Sequence, residues 1–296
     1  MKSVTEETNP NTKDIDRRST LEIVTLVNQE DKTVAEAVSR VLDRVAEAVD
    51  LIVGRLASGG RLIYVGTGTS GRLGVLDASE CPPTFGVSRD LVRGIIAGGY
   101  EALHRSVEAA EDDPEQAVRD LSSLDVSAQD AVVGISASGN TPYTLGAVAY
   151  ANKLGAATVS ITCNPDSRMA ETALISIAPV VGPEVIAGSS RMKAGTAQKM
   201  ILNMLSTATM IKLGLVYSNL MSNLRATNDK LRRRARAILA DEAGIGGDEA
   251  AQIFEAAAED LRVALLMARS NLSCEDAARL LESHKGSVRR ALDSLA

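Results

Sequence analysis

Two segments of this chain repeat one pattern: a short apolar run, a loop of glycines and hydroxyls, then helix-forming sequence. Arg61-Leu62-Ile63-Tyr64-Val65 runs directly into Gly66-Thr67-Gly68-Thr69-Ser70-Gly71. Ala131 to Ile135 runs into Ser136-Ala137-Ser138-Gly139-Asn140-Thr141-Pro142 and a helix to Leu154. Unbroken apolar runs of this length suit strands buried on both faces, as in a parallel sheet covered by helices. Two further strands are expected at Ala157 to Thr162 and Leu174 to Val181, separated by the turn-rich Asn164-Pro165-Asp166. Strands that alternate with helices need crossovers, so the expected class is α/β, a doubly wound parallel sheet flanked by helices.

The rest of the chain reads as helix and connection. Met1 to Ser19 is polar and rich in turn formers, an arm expected to lie on a surface or on a partner subunit. From Thr33 to Leu56 apolar residues recur at spacings of three and four, which predicts one amphipathic helix stopped by Ser58-Gly59-Gly60. From Ser190 onward the pattern is helical, and after Asp248 it divides into three short helices, a small all-helical module. The expected boundaries are an arm and helix over 1–51, the sheet domain over 52–213, a helical connection over 214–247 and the module over 248–296.

Composition narrows the function. At 296 residues the chain exceeds what one core usually organises, consistent with a large domain plus a small one. There is no tryptophan and there are only two phenylalanines, so the core must be aliphatic. A net charge of -6 argues against non-specific nucleic-acid binding, and the basic run Lys230 to Arg234 is expected to be a solvated or phosphate-facing helix surface. Cys81, Cys163 and Cys274 show no metal or disulfide spacing, and two histidines are too few for a His-based metal cluster. The N-terminus lacks the apolar run of a secretory leader, and no stretch is long enough to span a bilayer, so a cytoplasmic protein with no metal and no cofactor is expected.

The loop GTGTSG formally matches the dinucleotide fingerprint. Its hydroxyls, with no clear acidic residue closing a second strand about 20 positions on, fit a phosphate monoester at a helix N-terminus better. Thr67, Thr69 and Ser70 in this loop, with Ser136, Ser138, Asn140 and Thr141 in the second, are the candidate phosphate groups. A third polar cluster joins Glu184 to Ser189, Ser190, Arg191 and Lys193. Either serine can cap the following helix; the two cations, at a helix start where they oppose the dipole, suit a nearby anion or an ion pair with Glu184. Two acidic segments remain, around Glu80 beside Pro82-Pro83 and around Glu111-Asp112-Asp113. The paired prolines are expected to hold Glu80 in irregular backbone, and a cap accounts for one of the later carboxylates. Two carboxylates in different environments are what general acid and base catalysis requires.

The blocks GRLIYVGTGTSGRLGVLDASECPPTFG, VEAAEDD, VGISASGNTPY and GSSRMKAGTAQKMILNMLSTATMIKLG resemble the N-acetylmuramic acid 6-phosphate etherase family, and the similarity runs nearly end to end. The resemblance implies a sugar isomerase (SIS) domain from about Ile52 to Leu213, a homodimer, and a C-terminal region similar to three-helix ubiquitin-associated bundles. It places the family's two catalytic glutamates on Glu80 and Glu111; of the two we read Glu80 as the general acid that later activates water and Glu111 as the base at C2. It implies elimination of D-lactate from a sugar 6-phosphate followed by hydration. Phosphate then belongs to Ser70, Ser136, Ser138 and Thr141, and the sugar or lactyl side to Glu184, Ser189, Arg191 and Lys193. A relationship to the glucokinase regulatory protein keeps a non-catalytic sugar-phosphate sensor as an alternative. An aldose-ketose isomerase is another, and a nucleotide-binding dehydrogenase ranks last.

Overall fold

Five short strands, each three to five residues long, carry the architecture of the computed structural model, which describes residues 4–224 and 228–295. The chain first makes short 3-10 turns, with Thr5, Asn9 and Thr12 buried. Asn9 and Thr12 donate side-chain hydrogen bonds to the carbonyls of Pro183 and Val185, at 3.2 and 2.8 Å. Helix α1 (Thr20–Ser39) starts at a capping box between Ser19 and Glu22, and α2 (Leu42–Ala57) follows. The single helix expected from Thr33 to Leu56 is therefore two. Val41 takes φ -119°, ψ 12° at the break, and the apolar spacing runs through it from Val38 to Val45, so periodicity alone does not reveal it.

Strand β1 (Leu62–Gly66), helix α3 (Gly68–Phe85), β2 (Val92–Ile96), α4 (Pro114–Ser122), β3 (Ala131–Ile135), α5 (Pro142–Lys153), β4 (Ala157–Ile161), α6 (Arg168–Thr172), β5 (Ile175–Ile177) and α7 (Lys193–Leu213) complete the alternation. All neighbouring strands are parallel, in the order β2-β1-β3-β4-β5. β1, β3 and β4 are buried at every position. Ile63, Val65 and Val132 pack with Ala117 and Leu121 of α4 and Tyr143, Ala147 and Ala151 of α5. Full burial of each valine, isoleucine or leucine side chain among these contributes about 1.5–3 kcal/mol. A polar tie runs beneath this packing: Asp77 accepts from Tyr64 Oη at 3.0 Å, Asn203 Nδ2 at 2.6 Å and Ser206 Oγ at 3.2 Å, joining β1, α3 and α7.

Two local expectations are corrected. β2 escaped the apolar pattern because it is an edge strand carrying Arg93 and Gly94; a Cβ on Gly94 would lie 2.6 Å from the Val75 Cα, so only glycine allows α3 to approach. Helix α3 continues through Pro82 and Pro83 to Phe85, so Glu80 is helical and not in irregular backbone. Prolines this near a C-terminus leave only the carbonyls of Ala78 and Ser79 without helical donors, and Gly86 N closes the end on Pro82 O at 2.9 Å.

The chain divides into two compact units, Met1–Ser79 with Arg89–Ser206, and Glu80–Ser88 with Thr207–Ala296. The second unit holds α8 (Asp229–Ala243), α9 (Gly247–Ala256), α10 (Leu261–Ser270), α11 (Cys274–Ser283) and α12 (Val288–Asp293) around Leu239, Phe254, Leu261, Leu265 and Leu266. Four helices follow Gly246 where three were expected. Gly286, at φ +79°, ends the third, and Ser287 caps the fourth by accepting from Arg290 N. The basic run lies on α8, where Arg232 pairs with Asp229 and Glu259 and Arg233 is exposed. Among the described residues no helix is long and apolar enough to cross a membrane.

Candidate functional site at the carboxyl edge of the sheet

The sheet order reverses direction between β1 and β3, and crevices for ligands open at the carboxyl ends of strands at such a switch point. Gly66 ends β1 directly opposite Ile135 at the end of β3, so the two glycine and hydroxyl loops lie side by side at one edge. Helix α3 starts within the first loop, at Gly68, which brings Thr69 and Ser70 into its first turn beside amides that have no helical acceptor. Thr67 is buried, while Thr69 and Ser70 are half-buried. Ser70 Oγ donates to Gln198 Oε1 of α7 at 2.9 Å.

In the second loop Ser136 is the hub. Its Oγ accepts from Gly139 N at 3.1 Å and lies 2.9 Å from Thr141 Oγ1 and 3.4 Å from Ser138 Oγ. Gly139 is obligatory here: its φ is +68°, and a Cβ would come within 2.2 Å of Ser167 Oγ. Asn140, exposed, accepts from Arg168 N through Oδ1 and donates to Ser138 O through Nδ2. Its side chain therefore secures the loop, leaving Ser138 and Thr141 as the half-buried hydroxyls at its mouth.

Glu111 reaches this edge from the loop after β2. A Cβ built on Gly68 would sit 3.3 Å from Glu111 Oε1, which puts the carboxylate against the first loop. Three features hold it there. Glu111 lies in a 3-10 turn, Glu108–Asp112, and Asp113 anchors the next residues by capping α4 through Gln116 N at 2.9 Å. Arg72, one turn into α3, donates to the carbonyls of Leu103 and Arg105 at 3.2 and 3.1 Å and so ties the preceding segment to the same helix. Arg72 carried no signal in the sequence, because its role is to bind backbone that folding brings to it.

The third cluster is differently employed. Glu184, fully buried, accepts from the backbone N–H groups of Lys193 and Ala194 at 2.9 and 3.0 Å and so caps α7. A carboxylate from nine residues upstream does what a neighbouring serine was expected to do, and it satisfies the helix dipole. Among the described residues the cap of α7 is Glu184, while Ser189 and Ser190 are half-buried in the turn before α7 and Arg191 is exposed there. Lys193 does not pair with Glu184; its ammonium is 2.7 Å from Glu30 Oε2 of α1, with side-chain exposures of 3% and 10%. Asn9 and Asn11 also donate to Glu30, at 2.7 and 2.9 Å. Burial pushes the Glu30 carboxyl up, but the bonds from Lys193, Asn11 and Asn9 outweigh it and hold it below the usual range. Nearby, burial and the Glu184 charge push the Cys163 thiol up to about 12.

Gln198 is a site residue that the sequence reading passed over. It sits 1% exposed among Ala194, Ala197, Ile201 and Leu202 on the buried side of α7, and a polar residue in that apolar register was the available signal. Glu80 is exposed on α3.

Known proteins share the fold that carries these loops. The model for the glucokinase regulatory protein N-terminal SIS domain matches residues 44–152, and the SIS domain model matches 105–208. Among solved structures, a phosphoheptose isomerase from Francisella tularensis superposes with a TM-score of 0.52 at 17% identity, over 66% of this chain and 100% of that one. A chain from E. coli CFT073, solved as a complex with a ligand, gives 0.50 at 18% identity, over 68% and 97%. These share the fold. Sequence relatives named N-acetylmuramic acid 6-phosphate etherase are far nearer. That of Clostridium botulinum (strain Loch Maree / Type A3) is 54% identical over 99% of this chain and 97% of its own length. That of Vibrio vulnificus (strain YJ016) is 53% identical over 98% and 97%. With identity of this level along nearly its whole length, and the SIS architecture that carries the two loops, the chain belongs to the N-acetylmuramic acid 6-phosphate etherase family.

Proposed function

We propose that this protein cleaves the D-lactyl ether of N-acetylmuramic acid 6-phosphate with water, giving N-acetylglucosamine 6-phosphate and D-lactate, in cell-wall amino sugar recycling in the cytoplasm. The observation that carries the reading is a carboxylate, Glu111, lodged against a hydroxyl-rich loop at a helix start. The loop suits a phosphate monoester, and the carboxylate beside it suits a base acting on the sugar that the phosphate anchors. Ser70, Ser138 and Thr141 present hydroxyls to the phosphate, with Ser136 bracing the second loop and Thr67, Thr69 and Asn140 shaping the two turns.

The chemistry follows from the substrate. Ring opening exposes a C1 aldehyde that acidifies the C2 proton. Glu111 removes it, the C3–O bond to lactate breaks, and an acid protonates the departing oxygen. Water then adds at C3 and a proton returns to C2, so the net reaction consumes one water. Family resemblance supplies Glu80 as the acid. A homodimer is part of the proposal on the same ground. Arg191, exposed and without a cap or ion pair among the described contacts at its end of α7, is the better cation for the lactyl carboxylate, with Ser189 and Ser190 beside it. Lys193 and Glu184 act as supports for that segment.

The test is lactate release. Chelator-treated protein incubated with N-acetylmuramic acid 6-phosphate is expected to release D-lactate, and Glu111→Gln to lose about 10²–10⁴-fold in kcat while still binding the sugar phosphate. Binding without release by the wild-type protein would support a sugar-phosphate sensor instead.

A further inference from the structure

Ser70 directs its hydroxyl hydrogen at Gln198 Oε1, 2.9 Å away, and the Gln198 Nε2 is buried with no hydrogen-bond partner. Among the described residues the other buried side-chain atoms in this state are the hydroxyls of Thr144 and Thr209, which makes Gln198 the one amide. Orphaned buried N–H groups are rarer than under-satisfied carbonyls because a carbonyl has lone pairs to spare. This orphan also bears on the ligand. A phosphate dianion offers only acceptors, so a serine whose single hydrogen is given to Gln198 has none for the phosphate.

The two ends of a carboxamide have nearly the same shape. A half-turn about Cγ–Cδ puts Nε2 on Ser70 Oγ and Oε1 in its place, with no other heavy atom displaced. Ser70 then accepts from Gln198 and its hydrogen is free. The unpaired donor is replaced by an unpaired acceptor, and a hydroxyl that accepts one bond becomes a stronger donor in the next.

We propose that Gln198 is a positioning residue for the substrate phosphate: with its carboxamide turned so that Nε2 donates to Ser70 Oγ, the orphaned amide gains a partner and the Ser70 hydroxyl is free to donate to a phosphate oxygen. The proposal rests on the reading of Ser70 as a phosphate group. It makes Gln198 a determinant of affinity for the phosphorylated sugar, acting through Ser70 without touching the reacting carbons.

The direct test is the side-chain amide signal of Gln198 in glutamine-labelled protein, identified by its loss in Gln198→Met. Inorganic phosphate, and N-acetylglucosamine 6-phosphate after it, are expected to shift that signal saturably, whereas unphosphorylated N-acetylglucosamine leaves it in place. In turnover, Gln198→Met is expected to raise KM about tenfold with kcat held within about twofold, the worth of one hydrogen bond. Gln198→Glu can only accept from Ser70, so the ligand must bring its own hydrogen. Binding to that variant is expected to improve as pH falls below the second phosphate pKa near 6, a change of profile that a merely structural glutamine would not produce. An unmoved amide signal at saturating phosphate, or a Gln198→Glu profile parallel to wild type, overturns the proposal. Ser70→Ala separates the layers: if it binds phosphate as well as wild type, the reading of Ser70 fails. If it binds weakly while Gln198→Met is unchanged, only the role of Gln198 fails. Should Gln198→Met not fold, loss of the signal in Gln198→Glu, which also lacks the amide, identifies it and the wild-type titration decides.

Discussion

Lys193→Met separates a supporting role from a binding role. Lys193 and Glu30 form an ion pair of 2.7 Å with side-chain exposures of only 3% and 10%, so removing the cation strands a buried carboxylate with two amide donors, Asn9 and Asn11. Breaking one side of a buried pair costs about 3–5 kcal/mol. For a domain of this size that corresponds to a fall in Tm of about 10 °C. The pH dependence gives the sign. In the wild type Glu30 titrates below its unfolded value, so its contribution is present above that value and is lost as pH falls through the lower, folded one. In Lys193→Met the cation is gone and burial remains, so the folded carboxyl titrates above its unfolded value and the variant gains stability relative to wild type as pH falls from 7 toward 5. Thermal melts of both proteins across this range provide the measurement, with Glu30→Gln/Lys193→Met expected to recover much of the loss. A variant that melts within 2 °C of wild type, or shows no reversal with pH, refutes the strut. If its KM for the substrate rises while its melt is unchanged, Lys193 holds the lactyl carboxylate after all.

Gly68→Ala adds a Cβ 3.3 Å from Glu111 Oε1 at a residue with φ +49°. Backbone strain of about 1–2 kcal/mol is expected to lower Tm modestly, and displacement of the carboxylate to lower kcat roughly tenfold or more; unchanged kcat would separate Glu111 from the reaction. Cys163, buried and pushed up to about 12, is expected to resist a thiol reagent at pH 8 until denaturant is added, and labelling at the rate of a free thiol would show that the α7 cap opens readily.

The parallel sheet was legible because β1, β3 and β4 are apolar throughout and each is followed by turn chemistry. β2 was not, since its place at the sheet edge relaxes the demand for apolar residues at Arg93 and Gly94. The break at Val41 was hidden by spacing that happens to continue across it. The phosphate loops could be read locally, residue by residue, because a helix start and its hydroxyls are contiguous. The third cluster could not. Glu184 and Lys193 look like site residues until folding brings the α7 amides to one and Glu30 to the other, and a partner 163 positions away leaves no trace in local sequence. Arg72 escaped for the same reason, whereas Gln198 left a local signal as a polar residue in the apolar register of α7.

That long separation also sets an order of events during synthesis. Asn9 is secured by the carbonyl of Pro183, 174 residues later, and Glu30 by Lys193, so these two ties cannot form until most of the first unit has left the ribosome. At about 5–20 residues per second the wait is of the order of ten seconds or more, during which a polar N-terminus is open to proteases and chaperones. A nascent chain cut short before Lys193 would keep Glu30 charged and without its cation, a built-in reason for incomplete copies to fail to close.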